Sequence, residues 1–210
     1  MDILLFIKGI GVGFAIAAPV GPVGMLCMQR SLTKGFLYGL FSGMGAATAD
    51  AIFGAVAAFG VSFISEFLTR QQFWLQLGGA FLLLIMGIHT IFAKWRPPGE
   101  RAGANDLAHD LLTTFFLTIT NPITIFSLTA VFVTVGITSG TETLLGGGLV
   151  TGGVFVGSAL WWCILCSAFS LGRSVMSGVY LKRIHRAAGF VMLAFGAGVF
   201  IHLLDLRVFP

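Results

Sequence analysis

Charged residues are scarce in this 210-residue chain, at 10% of the total, whereas an ordinary soluble domain carries about 25%. Only 8 side chains are acidic, and the aromatic residues are nearly all Phe (21, with 4 Trp and 2 Tyr). Hydrophobic residues make up 57% of the chain, and the mean hydropathy is +0.97. These shortages exclude a soluble domain and predict an all-α integral membrane protein without a sizeable soluble module.

Features of several other protein classes are also missing. Basic residues never form a block interleaved with aromatics, so the net charge of +4 does not indicate a nucleic-acid partner. The four histidines are scattered without ligand spacing, so no metal and no cofactor are predicted. Cysteines are limited to Cys27, Cys163 and Cys166, and a dithiol at Cys163-x-x-Cys166 is less expected than helix packing. An enzyme is not predicted.

Charge-poor apolar runs dominate the rest of the chain. A span of about 20 residues crosses a hydrocarbon core of about 30 Å. The first run is interpreted as a retained helix, because Met1-Asp2 lacks the positive cluster of a signal peptide. Six transmembrane helices are therefore predicted, over residues 9–29, 36–65, 71–93, 111–141, 143–172 and 187–204.

The distribution of Lys and Arg predicts the orientation, because cytoplasmic loops carry the excess of both. With the N-terminus outside, nine lie on the cytoplasmic side: Arg30, Lys34, Lys94, Arg96, Arg101, Arg173, Lys182, Arg183 and Arg186. Three lie outside: Lys8, Arg70 and Arg207. Both termini are predicted to face out. The polar linker 94–110 divides the chain into 1–93 and 111–210, and three helices per half make the second an inverted repeat of the first.

Two proline motifs interrupt apolar runs at corresponding places in the halves. The first, Pro19-Val-Gly21-Pro22-Val-Gly24, frees backbone carbonyls, because proline lacks an N–H and clashes with the preceding turn. The second is Asn121-Pro122, followed by the hydroxyl of Thr124. Freed backbone groups persist in a membrane only where protein or a wet cavity satisfies them. Paired breaks therefore predict a binding site, with an ordinary proline kink as the alternative.

Asp50 is the only acidic residue inside a long apolar run. A carboxylate at that depth costs about 2.5–3.5 kcal/mol on insertion scales, so it indicates a functional site. The alternative is a buried Asp that binds Ser or Thr hydroxyls and only locks helix packing. Trp161 is a further candidate for lining a cavity, because it and Trp162 lie too deep for interfacial anchoring alone.

Small residues recur at every fourth position and predict a flat ridge for close helix packing. They are Ser31, Gly35, Gly39, Gly43, Ala47, Ala51 and Ala55, with Gly153 and Gly157 in the second half. Asp50 lies beside this ridge and is expected to face protein rather than lipid.

At Pro19-Val-Gly-Pro22, Asp50 and Asn121-Pro122 the chain resembles the lysine exporter (LysE/RhtB) superfamily. The stretch Ala18-Pro-Val-Gly-Pro-Val-Gly-Met-Leu-Cys-Met-Gln-Arg-Ser-Leu is similar to a LysE-type amino-acid translocator signature. The resemblance implies export of amino acids from the bacterial cytoplasm across the inner membrane, driven by an ion gradient and often from dimers. It implies functional positions at Pro19, Gly21, Pro22, Asp50, Asn121 and Pro122. Many homoserine-type members have Pro-Gly-Pro at this place, whereas Val20 and Gly21 separate the two prolines in this chain. The resemblance therefore leaves the substrate open.

The sequence thus predicts a secondary transporter that exports amino acids or similar small zwitterions. Asp50 is expected to bind the substrate ammonium, to carry a coupling proton, or to do both in turn. One alternative is a divalent-cation transporter of the same superfamily, which needs several oxygen ligands where the core offers Asp50 alone. A transmembrane thiol carrier is the other alternative.

Overall fold

The computed structural model describes residues 2–18, 21–58, 71–92, 104–121, 143–172 and 178–208. Within these ranges the chain is almost entirely α-helical, with short turns and no strand. The seven described helices are α1 (Asp2–Ala17), α2 (Pro22–Thr33), α3 (Phe36–Ala58), α4 (Gln72–Phe92), α5 (Ala104–Ile119), α6 (Leu144–Gly172) and α7 (Gly178–Val208).

The first apolar run forms two helices rather than one continuous span. Helix α1 ends at Ala17, α2 begins at Pro22, and the two axes differ by 83°. Pro22 occupies the first turn of α2, where its missing N–H costs nothing, and Gly21 is the N-cap. The predicted break is confirmed. With 12 residues, α2 is about 18 Å long, too short to cross a bilayer alone.

A tight turn joins α2 to α3. Gly35 has a φ of 113°, a left-handed value that a residue with a Cβ rarely adopts. Ser31 lies on α2, before this turn, so the predicted small-residue ridge extends over α2, the turn and α3 instead of one helix.

Small residues allow the central helices to touch closely. A Cβ at Gly43 would collide with the Trp162 side chain, so α3 and α6 meet at van der Waals distance there. Gly153 and Gly157 lie against the α1 carbonyls of Phe6 and Ile10. The packing role predicted for these glycines is confirmed, and α6 lies between α1 and α3.

Helices α1, α5 and α7 begin earlier than the apolar runs indicated, at Asp2, Ala104 and Gly178. Helix α5 begins at Ala104, so Asp106 and Asp110 are helical residues rather than linker. Helix α7 begins at Gly178, so Lys182, Arg183 and Arg186 lie on its first turns instead of in a loop. Charged residues can continue a helix past the end of its apolar part, which hydropathy alone does not detect.

Among the described residues, three helices are long and apolar enough to cross a membrane: Phe36–Ala58, Leu144–Gly172 and Lys182–Leu204. The bent pair Ile3–Ala17 and Pro22–Thr33 makes a fourth if it is counted as one span, and Gln76–Phe92 is a shorter apolar helix. The fourth predicted run continues after Asn121 outside the described residues. Large apolar side chains such as Ile3, Ile85 and Phe92 are exposed on the surface, as lipid contact requires.

Candidate functional site

A pocket lies between the start of α2 and the end of α5. It has a volume of about 390 Å³, counted to its open mouth, and helices α2, α4, α5 and α7 surround it. Pro22 contributes to its wall from the start of α2, and Asn121 contributes from the end of α5. The described lining residues are Pro22, Val23, Gln76, Gly79, Ala80, Leu83, Leu117, Thr120, Asn121, Phe195 and Val199.

Few polar groups face this pocket. The first turn of α2 leaves the N–H groups of Val23 and Gly24 without an intrahelical acceptor, and Gly21 has no side chain to cap them. The Thr120 hydroxyl donates to the carbonyl of Phe116 at 2.6 Å, within its own helix. The Gln76 side chain is 7% exposed and makes no hydrogen bond with any residue that the structure describes.

Asp50 lies elsewhere, in the interface between α3 and α6. It is 3% exposed, and its Oδ2 accepts a hydrogen bond of 2.7 Å from the Ser158 hydroxyl. The Trp162 indole N–H donates to the same Ser158 oxygen at 3.1 Å. The hydroxyl partner corresponds to the packing alternative raised by the sequence, and Asp50 is not among the described residues of the pocket wall.

Asp50 and the start of α2 lie at similar distances along their helices from the α2–α3 turn. Ser31 on α2 is in contact with Gly39 on α3, close to this turn. From Gly39 to Asp50 the helix advances about 16 Å, and from Ser31 back to Pro22 it advances about 14 Å.

The predicted site residues are thus distributed over two neighbouring places. Pro22 and Asn121 line the pocket, while Gly21 and Gly24 belong to the N-terminal end of α2. Trp161 packs edge-on against Phe14 at 5.2 Å between ring centroids, away from the described pocket wall. Its indole N–H is buried without a hydrogen-bond partner among the described residues. The remaining predictions, Pro19, Pro122 and Thr124, lie outside the described residues.

A second buried acid escaped the sequence reasoning. Asp110 is 1% exposed, and its carboxylate contacts Arg30 Nε at 3.1 Å and Lys34 Nζ at 2.9 Å. Arg30 Nη1 also donates to Ser42 Oγ and to the Asp110 carbonyl, both at 2.8 Å. This cluster joins α2, α3 and α5, with Arg30 and Lys34 at the C-terminal end of α2, opposite to the end that begins at Pro22.

One sequence signal could have found Asp110. Residues 110, 114 and 118 are spaced at four, so Asp110, Thr114 and Thr118 form a polar stripe on one face of α5. All three side chains are buried, and the Thr114 hydroxyl donates to the Ser42 carbonyl at 2.6 Å. Assigning Asp110 to a linker concealed this stripe.

The cysteines are free, and Cys27 and Cys166 are fully buried. Cys163 and Cys166 lie on successive turns of α6, where Cys166 packs beside Gly39. No three His, Cys, Asp or Glu side chains converge as metal ligands in the part of the chain that the structure describes.

Comparison with known proteins identifies the family of this chain. The family model described as "LysE type translocator" matches residues 14–203. The chain belongs to the LysE type translocator family. It is accordingly a transporter and a multi-pass membrane protein, as the resemblance at Pro19–Pro22, Asp50 and Asn121-Pro122 implied.

This LysE type translocator is also similar to a named bacterial protein. It is 25% identical over 197 residues to "Putative amino acid efflux protein YcgF" of Bacillus subtilis (strain 168). The match covers 91% of this chain and 93% of the relative. No solved structure matches the chain.

Proposed function

We propose that this LysE type translocator exports amino acids or closely related small zwitterions from the bacterial cytoplasm across the inner membrane, coupled to the proton gradient. Membership of the family and the name of the Bacillus subtilis relative support amino-acid efflux. The substrate is a small molecule, the coupling ion is a proton, and the surrounding partner is lipid.

The observation that carries this proposal is the pocket that the start of α2 and the end of α5 share. Pro22 and Asn121 are 99 residues apart in sequence, yet both line the same space. A helix N-terminus attracts carboxylates through its free N–H groups and its dipole. The end of α5 presents the opposite pole of a helix, which attracts an ammonium group. A zwitterion matches both ends at once.

Asp50 is assigned the coupling proton rather than the substrate ammonium. Its carboxylate contacts Ser158 and is absent from the described pocket wall, so a direct contact with bound substrate requires rearrangement. Ser158 suits a proton carrier, because a hydroxyl donates to a carboxylate and accepts from a carboxylic acid. Trp162 donates to the same Ser158 oxygen and so helps to fix its position.

The proposed architecture is a pair of inverted three-helix repeats, 1–93 and 111–210, joined by the cytoplasmic linker 94–110. Exchanging the halves relates α1 to α5, α3 to α6, and α4 to α7. If the halves are exchanged, the contact between α1 and α6 corresponds to the contact between α5 and α3. The contacts α3–α6 and α4–α7 each correspond to themselves. This reciprocity supports the repeat. Assembly as a homodimer is part of the same proposal.

A resistance screen tests the function most directly. Cells that express the protein should newly resist one or more amino acids or toxic analogues, because export lowers the internal concentration. Everted vesicles should then accumulate the same compound when acidified inside by respiration, and a protonophore should abolish the uptake. Failure to move any amino acid in both assays would overturn the proposal. Uptake that continues in the presence of the protonophore would contradict proton coupling but not amino-acid export.

A further inference from the structure

We infer that the pocket at the two helix breaks selects neutral amino acids with apolar side chains, and that Gln76 recognises their α-ammonium group. This inference rests on the proposed function, since it names the substrate class of the exporter. Three features of the pocket carry it: the uncapped start of α2, the unpartnered Gln76 amide and the uncharged wall.

The start of α2 provides the place for the substrate carboxylate. Pro22 and Val23 line the pocket, and the N–H groups of Val23 and Gly24 have no intrahelical acceptor. Two N–H groups and the positive end of the helix dipole favour an anionic group of the ligand. The α-carboxylate, common to all amino acids, supplies that group.

Gln76 provides the independent indication of a ligand. Its side chain lines the pocket, is 93% buried (7% exposed) and makes no hydrogen bond within the described part of the chain. Buried amide groups are normally paired, because an unmade hydrogen bond is costly. The amide oxygen can accept from an ammonium group, so a bound amino acid completes the missing bond.

The rest of the wall determines which side chain is accepted. Ala80, Leu83, Leu117, Phe195 and Val199 are all apolar, and no described lining residue is charged. Residues 122–141, which follow Asn121, also have no charged residue in their sequence. The ε-ammonium of lysine would therefore lose water without gaining a carboxylate partner, which is unfavourable. Asp50 is excluded as that partner by its position in the α3–α6 interface.

Phe195 is 39% exposed and lies at the wall contributed by α7, where it can cover an aliphatic side chain.

Equilibrium binding to the intact protein in lipid nanodiscs tests the inference. L-leucine should bind about 100-fold or more tightly than L-lysine, because the pocket offers the second ammonium no partner. 3-Methylbutylamine, which lacks the carboxylate, and 4-methylpentanoate, which lacks the ammonium, should each bind at least tenfold more weakly than L-leucine. This comparison needs no altered protein, so it does not depend on whether a variant folds.

Variants then test the individual residues. Gln76→Ala should weaken L-leucine binding about tenfold or more, the usual effect of losing a hydrogen bond to a charged group. Gln71→Ala, in the turn just before the same helix and outside the described pocket wall, should leave binding unchanged. Phe195→Ala should weaken L-leucine more than glycine, whereas Phe190→Ala, on the exposed surface of α7, should affect neither. Thermal unfolding of each variant checks its fold.

The outcomes separate this inference from the proposed function. Binding and export of lysine as good as those of leucine would overturn the substrate class and leave amino-acid export intact. Unchanged leucine binding in a folded Gln76→Ala protein would overturn the role of Gln76. If no amino acid is bound or exported, the proposed function itself fails.

Discussion

Two buried carboxylates in this protein have opposite surroundings. Asp110 contacts both Arg30 and Lys34, so positive charge compensates its own. Asp50 contacts the neutral hydroxyl of Ser158. An acid that lacks a cation can gain or lose a proton without breaking an ion pair, whereas Asp110 cannot. This difference supports the proposal that Asp110 is structural and that Asp50 carries the coupling proton.

The first residue-scale prediction concerns Asp50. Asp50→Asn should lower gradient-driven export at least about tenfold, because an amide has a similar shape but carries no exchangeable acidic proton. Export is measured in everted vesicles, and membrane insertion is measured by the amount of protein in the membrane fraction. Asp106→Asn is the matched control and should export normally. A wild-type rate in Asp50→Asn would remove the coupling role.

The second residue-scale prediction concerns the Arg30–Lys34–Asp110 cluster. Asp110→Ala should destabilise the protein by about 3–5 kcal/mol, because Arg30 is 6% exposed and loses its counter-charge. Lys34→Ala should cost about 1 kcal/mol or less, since the Lys34 side chain is 34% exposed and water compensates its charge. Thermal unfolding in detergent measures both. Equal losses in the two variants would contradict the assignment of Arg30 as the main partner.

At the scale of helices, glycine determines how closely α1 and α6 approach. A Cβ at Gly13 would collide with the backbone carbonyl of Val154, and one at Gly157 would collide with that of Ile10. Membrane helices lack a hydrophobic force between them, since lipid is equally apolar, so close backbone contact provides the attraction. The glycine pairs therefore hold α1 against the core.

Alanine substitution tests this contact. Gly13→Ala should lower stability by about 1–3 kcal/mol, because the methyl group must push two backbones apart. Gly11→Ala is the matched control on the same helix, with nothing within 4 Å of the added Cβ. It should be neutral or slightly stabilising, because alanine favours a helix over glycine by about 1 kcal/mol. Equal midpoints of thermal unfolding in the two variants would show that α1 and α6 pack less closely than the structure indicates.

At the scale of the whole molecule, the proposed orientation has an odd number of spans in each half. Both chain ends should then lie outside and the linker 94–110 should lie in the cytoplasm. Alkaline phosphatase fused after Pro210 should be active, because it folds only outside, and a green fluorescent protein inserted in the linker should fluoresce. Inactive phosphatase together with a fluorescent C-terminal fusion would contradict the proposed topology.

The sequence alone determined the class of the protein and the position of the first break. Hydropathy is a sum over neighbouring residues, and the missing N–H of Pro22 affects only its own helix turn. The protein class and the break can therefore both be predicted from short stretches of sequence. The same locality explains the errors. Helix α5 continues through polar residues to Ala104, and hydropathy registered those residues as a linker.

Only the tertiary structure decided which residues meet. Asp50 and Ser158 are 108 residues apart, and Arg30 and Asp110 are 80 apart. A helix of a soluble protein has a polar face toward water, which identifies the opposite face as the buried one. In a membrane helix the outward face contacts lipid, so both faces are apolar. Hydrophobic periodicity therefore does not identify the inward face of α3 or α6, which only the spacing of the small residues indicated. Gln76 cannot be assigned to a pocket until α2, α4, α5 and α7 are packed together.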